Sequence, residues 1–469
     1  MRPACQLIRQ PQFRPKNLFD ALGMSSAGTD TTTPKGVPVS DDCKLDDETH
    51  HPLITGSTSS AAFGERDLPT NHAFGAEQPQ DDMTKAINRR VVVHFPGFEP
   101  MAAPAHHGRF KRSVQFSSKV WAYTANVSPL ADEDVSPNFT VSSDVEGWKT
   151  STTVHLCDHN ALLERLTEKP ILHRMLAGFF SAAQVVFYGA AVGYFRHAWR
   201  FGLFFVFPFL LMGLALAACL FVAATPFWLD LRPWQYGWSI PLAWLCFHYV
   251  LFPLSERFLT LHLFADWQLA VSAARLDDPD LAIWLEQSAA RLAKALYEPA
   301  DEYVISSHSM GSTLAAHVFG MVLENNPALL AGKKVVFLTL GGAILQCALL
   351  RPAARLRERV GAIARMPDVS FVEVHCLTDV IHFYKCPVVS LCGHPDAPQA
   401  EQMYIRVKQL LEPGRYKRIK RDFLRVHRQY VLYGDRRGTF DFSLLTASPF
   451  PAHRTDDVSK RDFTALEQG

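Results

Sequence analysis

The sequence lacks several features that would each point to a function. Its nine cysteines, at positions 5, 43, 157, 219, 246, 347, 376, 386 and 392, follow no regular spacing. No disulfide framework is therefore expected, and a reducing compartment suits the chain. The formal net charge is only +1, so there is no global pull towards nucleic acid or an acidic ligand. No phosphate-cradling glycine loop and no nucleic-acid module stands out among the 469 residues. The beginning carries basic residues without the unbroken apolar core of a secretory signal, so a disordered leader is expected there, with a transit peptide as the alternative. Residues 1–85 also lack sustained apolar runs. Rich in Ser, Thr, Pro, Gly, Asp and His, they are expected to form a disordered extension.

Charge is missing where it matters most. Residues 201–224 contain none, a run long enough to cross a hydrocarbon core. A second uncharged run covers residues 239–254. Between them lie Trp228, Trp234, Tyr236 and Trp238, residues that suit a membrane–water boundary. We expect these runs to form a hairpin of two spans, with a pair of buried helices in a soluble lid as the alternative. A third apolar run, residues 177–195, is expected to be an interfacial or lid-like helix. Parity supports this, because an even number of crossings keeps strands before and after the insertion on one side. Arg196, His197 and Arg200 precede the first span, whereas the intervening loop holds Arg232. That bias favours a cytoplasmic location for the flanking domain.

The remainder alternates apolar β-prone runs with helical segments. Strands are expected at 91–95, 120–125, 152–156, 303–306, 334–340 and 369–376, with helices at 258–276 and 281–296. Such alternation implies an α/β fold with a mostly parallel sheet covered on both faces. The expected organisation is a disordered 1–85, a first α/β part at 86–170, the apolar insertion at 171–256, a second α/β part at 257–446, and a disordered polar tail at 447–469.

One stretch carries chemistry. The run Glu302-Tyr303-Val304-Ile305 leads into Ser306-Ser307-His308-Ser309-Met310-Gly311, and a helix-like segment follows at once. Small residues two positions either side of Ser309 suit a serine on a tight strand-to-helix turn. The helix N-terminus behind it offers free N–H groups to a developing oxyanion. Serine needs a base, and the base needs an orienting acid. Asp379 stands just past the strand at 369–376, where such a group belongs. His427 follows it at a plausible distance and is the preferred base, with His394 second. His375 and His382 lie too close to Asp379 to complete the order nucleophile, acid, base. The turn His94-Phe95-Pro96-Gly97-Phe98 ends the first strong strand and is placed to supply a second oxyanion donor. The backbone amides of Phe98 and Met310 are the candidates.

A strand ending in a His…Gly-Phe loop, a turn built around Ser309, then an acid and a histidine in that order, resembles the α/β-hydrolase superfamily. The resemblance spans roughly residues 90–445, with the 170–256 region as an insertion before the turn. Ser307 stands where the family pattern has glycine. The resemblance implies Ser309 as nucleophile, Asp379 as acid and His427 as base, with no cofactor. The function expected is a membrane-attached, lipase- or esterase-like serine hydrolase acting on an apolar or lipid ester, in contact with membrane lipids and not nucleic acid. The alternative is a non-catalytic membrane scaffold with a hydrolase-like fold. Cys386, Cys392 and His394 lack a fourth ligand and regular spacing, so no metal is expected. The basic stretch from Arg415 to Arg428 reads as a solvated helix face, with contact with anionic lipid head groups beside the membrane hairpin as the alternative.

Overall fold

The computed structural model describes residues 86–132, 136–145 and 147–453, together with Val458 and Phe463. The expected disordered extension over 1–85 lies outside these residues. Among them, eight strands form one sheet: β1 (Arg89–Phe95), β2 (Thr124–Val127), β3 (Asn138–Val145), β4 (Trp148–Leu156), β5 (Glu302–His308), β6 (Val335–Leu340), β7 (Val369–Cys376) and β8 (Glu401–Ile405). Their order is β2-β3-β4-β1-β5-β6-β7-β8. All pairings from β4 to β8 are parallel, whereas β3 runs antiparallel to both β2 and β4. The fold is thus α/β with a mostly parallel sheet.

The centre of the sheet explains why its strands read as apolar runs. Parallel strands joined by crossover helices are covered on both faces and must be apolar on both. Along β1, Val91, Val93 and Phe95 enter one core while Val92 enters the other. Helix α1 (Ala103–Trp121) covers the second face with Phe110, Val114 and Trp121. This corrects the strand expected at 120–125. Phe110, Val114, Ser117 and Trp121 bury one helical face, so the 3.6-residue period prevails until Ala122 turns left-handed at φ 58°.

From β1 the chain first builds the β4 side, then returns to place β5 on the other side of β1. The order reverses there, and the crevice beyond the carboxyl ends of β1 and β5 is where open α/β sheets bind ligands.

The connection from β4 to β5 holds the apolar insertion: α2 (Asn160–Thr167), α3 (Ile171–Phe187), α4 (Ala190–His197) and α5 (Trp199–Ala223), then the Pro233–Glu256 helical segment. The helices Thr260–Arg275 and Pro279–Leu296 complete it. Two of these are long and apolar enough to cross a membrane, α5 with 25 residues and Pro233–Glu256 with 24. At about 1.5 Å per residue each exceeds the roughly 30 Å hydrocarbon core. The run expected as one helix at 177–195 is two, broken at Tyr188–Gly189. One face of α3, with Met175, Gly178 and Val185, is buried; Phe179 on that side meets Phe264 at 5.3 Å between ring centroids. The other face exposes Leu172, Leu176 and Phe180.

The foot of α5 packs into the α/β body. Phe201 is fully buried and lies 4.4 Å from Phe383, centroid to centroid. Phe204 reaches Phe423 at 6.1 Å and Phe205 reaches Trp267 at 4.8 Å.

The disordered tail expected from residue 447 is corrected through residue 453. Phe450 and Ala452 are buried, held by the Arg90 guanidinium. Its Nη1 donates to the Ser448 carbonyl at 2.7 Å and its Nη2 to the Phe450 carbonyl at 2.6 Å. Its Nε donates to Glu302 Oε2 at 2.7 Å, and Glu302 Oε1 accepts the Ala452 N–H at 2.8 Å. The carbonyls that order this segment are backbone groups, invisible in its composition. Both charged side chains are essentially inaccessible to water, so the pair must be complete to be tolerated. Arg90→Ala should destabilise the protein by about 3–5 kcal/mol, since Glu302 would be left buried without its partner. Chemical denaturation followed by tryptophan fluorescence measures this, and an unchanged midpoint would contradict the role given to the pair.

Candidate active site

Ser309 sits between β5 and the Gly311–Asn325 helix with φ +52°. A left-handed backbone at a non-glycine residue costs roughly 1–3 kcal/mol and persists only where the surroundings enforce it. Here the enforcement is visible. The Ser309 N–H donates to the Leu340 carbonyl at 3.1 Å, and the Ser309 carbonyl accepts from Ser312 at 2.9 Å and Ala343 at 3.1 Å. Ser307, where the family pattern has glycine, is fully buried. Its hydroxyl donates to the Leu338 carbonyl at 3.2 Å, and its φ is not positive. Serine therefore fits that position.

Two glycines let the loop after β1 press against this turn. A Cβ on Gly311 would lie 2.3 Å from the Pro96 carbonyl and 2.4 Å from that of Phe95. One on Gly97 would lie 2.7 Å from His308 Nδ1 and 3.3 Å from the Ser309 Cβ. The two chain segments expected to supply oxyanion donors are thus in direct apposition. Neither the Phe98 nor the Met310 N–H donates to an acceptor among the described residues. Ser309 itself is half-buried, and the helix behind it points its N-terminus at the turn.

Asp379 and His427, 48 residues apart, meet at 2.7 Å through His427 Nδ1 and Asp379 Oδ2. A carboxylate can only accept, so Nδ1 carries the proton and Nε2 keeps its lone pair. That Nε2 is buried and has no partner among the described residues. The His427 ring lies 4.8 Å, between centroids, from that of His308, the residue before Ser309. His308 Nε2 donates to the His427 carbonyl at 3.1 Å. Burial and the neighbouring His427 press the His308 imidazole down to about 3, so it is uncharged at neutral pH. Burial alone would raise the Asp379 carboxyl. The His427 and His382 imidazoles overcome this and hold it well below the usual carboxylate range.

His394, the second candidate base, is elsewhere. It packs on Gly361 of the Ala354–Arg365 helix, with Nε2 at 2.9 Å from the Arg357 carbonyl. The Cys386 thiol donates to the His197 carbonyl at 3.4 Å. Among the described residues no group of three or more His, Cys, Asp or Glu side chains is placed to hold a metal ion.

Several residues that sequence reasoning did not single out shape this site. Glu99, one residue beyond Phe98, pairs with Arg109 of α1, and its Oε1 accepts from Arg428 Nε at 2.6 Å. Arg428 follows His427 directly, so Glu99 ties the loop after β1 to the segment that carries His427. Its only sequence signal is an acidic residue beside a candidate oxyanion loop. On the other side, His262 of the Thr260–Arg275 helix donates through Nε2 to the Phe98 carbonyl at 3.1 Å. His382, three residues past Asp379, lies within 3.4 Å of its Oδ2.

No family model, no curated protein and no solved structure matches this chain.

Burial would raise the Glu99 carboxyl, but Arg109 and Arg428 bring it down to about 2 from an ordinary 4.5. A depressed carboxyl contributes stability that is present above the unfolded value and lost as pH falls through the folded one. The wild type should therefore lose up to roughly 3 kcal/mol relative to Glu99→Gln between about pH 4.5 and pH 2. Denaturation midpoints of both proteins across that range check the sign. Parallel curves would remove Glu99 from its tie.

Proposed function

We propose that this chain is a membrane-attached serine hydrolase of α/β-hydrolase type that cleaves an apolar acyl ester. The observation that carries the reading is the 2.7 Å Asp379–His427 hydrogen bond, with the opposite nitrogen unpartnered, together with the left-handed Ser309. Fixing the tautomer in this way prepares an imidazole to accept a proton.

In this reading His427 Nε2 takes the Ser309 hydroxyl proton as Oγ attacks the ester carbonyl carbon. The carbonyl oxygen becomes an oxyanion and accepts from the amides of Met310 and Phe98. His427 then passes its proton to the departing alkoxide, leaving an acyl-Ser309. Water, deprotonated by the same imidazole, attacks the acyl carbon, and the proton returns to Ser309 as the carboxylic acid leaves. Asp379 stays ionised and balances the transient imidazolium.

An apolar substrate follows from where the insertion is rooted. The foot of α5 packs on Phe383 and Phe423, which flank the segments bearing Asp379 and His427. With α5 and Pro233–Glu256 as a membrane hairpin, the crevice lies near the bilayer surface, and the exposed apolar face of α3 belongs in the lipid interface. The basic cluster before α5 favours the cytoplasmic side for the hydrolase domain.

Fluorophosphonate labelling of the detergent-solubilised protein tests the reading. Wild type should label, Ser309→Ala should not, and His427→Ala should label at least about 10³-fold more slowly. Acyl esters graded in chain length then test the substrate class. No cleavage at any length overturns it, and no labelling of folded wild type leaves a non-catalytic membrane scaffold. Recovery in the supernatant after high-speed centrifugation would turn the apolar helices into a lid.

A further inference from the structure

His382 is set aside as a base by its position, yet its surroundings define a different role. Its side chain is 1% exposed. Nε2 accepts the backbone N–H of Cys376 at 3.3 Å. An amide N–H only donates, so Nε2 carries a lone pair and the uncharged ring holds its proton on Nδ1. Nδ1 makes no hydrogen bond among the described residues, and Asp379 Oδ2 stands 3.4 Å from it. Oδ2 is the oxygen that accepts from His427 at 2.7 Å, while Oδ1 accepts the Ile381 N–H at 2.9 Å.

We propose that His382 is a positioning residue for the Asp379–His427 pair, holding its Nδ1–H dipole beside the same carboxylate oxygen that orients the base and close enough to bond it when the pair becomes charged. The proposal rests on the hydrolase reading of Ser309 and His427. Burial, more than its neighbours, brings the His382 imidazole down to about 3, so it serves as a neutral donor. It steadies the carboxylate and takes a share of the charge on Oδ2 without adding a cation. The attraction that holds a proton on His427 is tempered accordingly, and the base is free to work at lower pH.

Other groups face the two imidazoles. Near His427 stand His308 of β5, Tyr430 and Arg428, with the Asp266 carboxyl on the Thr260–Arg275 helix. Near His382 stand His375 of β7 and Tyr384, with Tyr430 again. Tyr430 remains a phenol, pushed up by burial and by the Asp379 charge. Asp266 is raised by burial to about 6, so it titrates near neutrality and needs a control.

The test is the rate of fluorophosphonate labelling against pH for full-length wild type, His382→Ala and His382→Asn, repeated in an Asp266→Asn background. Removing the donor leaves more of the Asp379 charge to hold a proton on the base. The acid-limb midpoint should then move up by about one pH unit in His382→Ala, with the plateau rate lowered about tenfold. His382→Asn keeps an N–H near the Nδ1 position and should restore the midpoint. An unmoved midpoint in folded His382→Ala overturns the proposal, as does a shift that Asn leaves uncorrected. Nitrogen-15 spectra of histidine-labelled protein give a readout independent of activity. An Nδ1–H tautomer for His382 is required, and Nε2–H overturns the proposal. If wild type is not labelled at all, the hydrolase reading falls, and the tautomer alone then decides whether His382 holds Asp379.

Discussion

A carboxylate with no access to water is the constraint around which this molecule is arranged. The Asp379 side chain is 0% exposed, and an isolated charge in such a place would be neutralised rather than tolerated. It stays ionised because two hydrogen bonds, from Ile381 and His427, and the nearby His382 imidazole converge on it. Ile381 and His382 come from the turn beyond β7, and His427 comes from a helix 48 residues on. The sheet fixes where β7 ends, and the packing of Phe423 and Phe383 against α5 fixes how the two segments approach. Satisfying one buried charge therefore requires the α/β body and the apolar insertion together.

The same logic extends to the other half of the crevice. Glu99 is held by one arginine from α1 and one beside His427, so the turn after β1 and the His427 segment share an anchor. Gly97 and Gly311 remove the side chains that would keep that turn away from Ser309. His262 secures the Phe98 carbonyl from the insertion side. Three chain regions thus set the direction of one backbone N–H. Such redundancy suits the oxyanion donor proposed at Phe98, which must not reorganise when charge develops in front of it.

The central strands and the serine turn could be read from the sequence because local pattern determines them. β1 and β6 are buried on both faces, which forces nearly continuous apolar runs, and β7 keeps enough β-branched and aromatic residues to read as a strand. The antiparallel β3 and the edge strand β8 have no counterpart among the expected strands because about half their residues are not buried; β8 reads Glu-Gln-Met-Tyr-Ile. The segment at 120–125 misled because Val, Trp and Tyr favour strands, whereas the burial of Phe110, Val114 and Trp121 favours a helix. The pairing of Asp379 with His427 was accessible from chain order alone. The Glu99–Arg428 contact was not, since its partners are 329 positions apart and no pattern links them. His382 illustrates a subtler failure. In the proposed reading, the order of nucleophile, acid and base says which histidine takes a proton, and nothing about which histidine stands beside the acid.

Ser309 has a consequence for how such a chain can change over time. Its backbone occupies a region that glycine enters freely and serine enters at a cost. The fold taken alone is better served by glycine at that position, so mutational drift guided by stability would erase the hydroxyl. Backbone preference alone therefore gives no reason for a serine there. A lineage in which the hydroxyl serves nothing should lose this side chain before it loses the sheet that presents it.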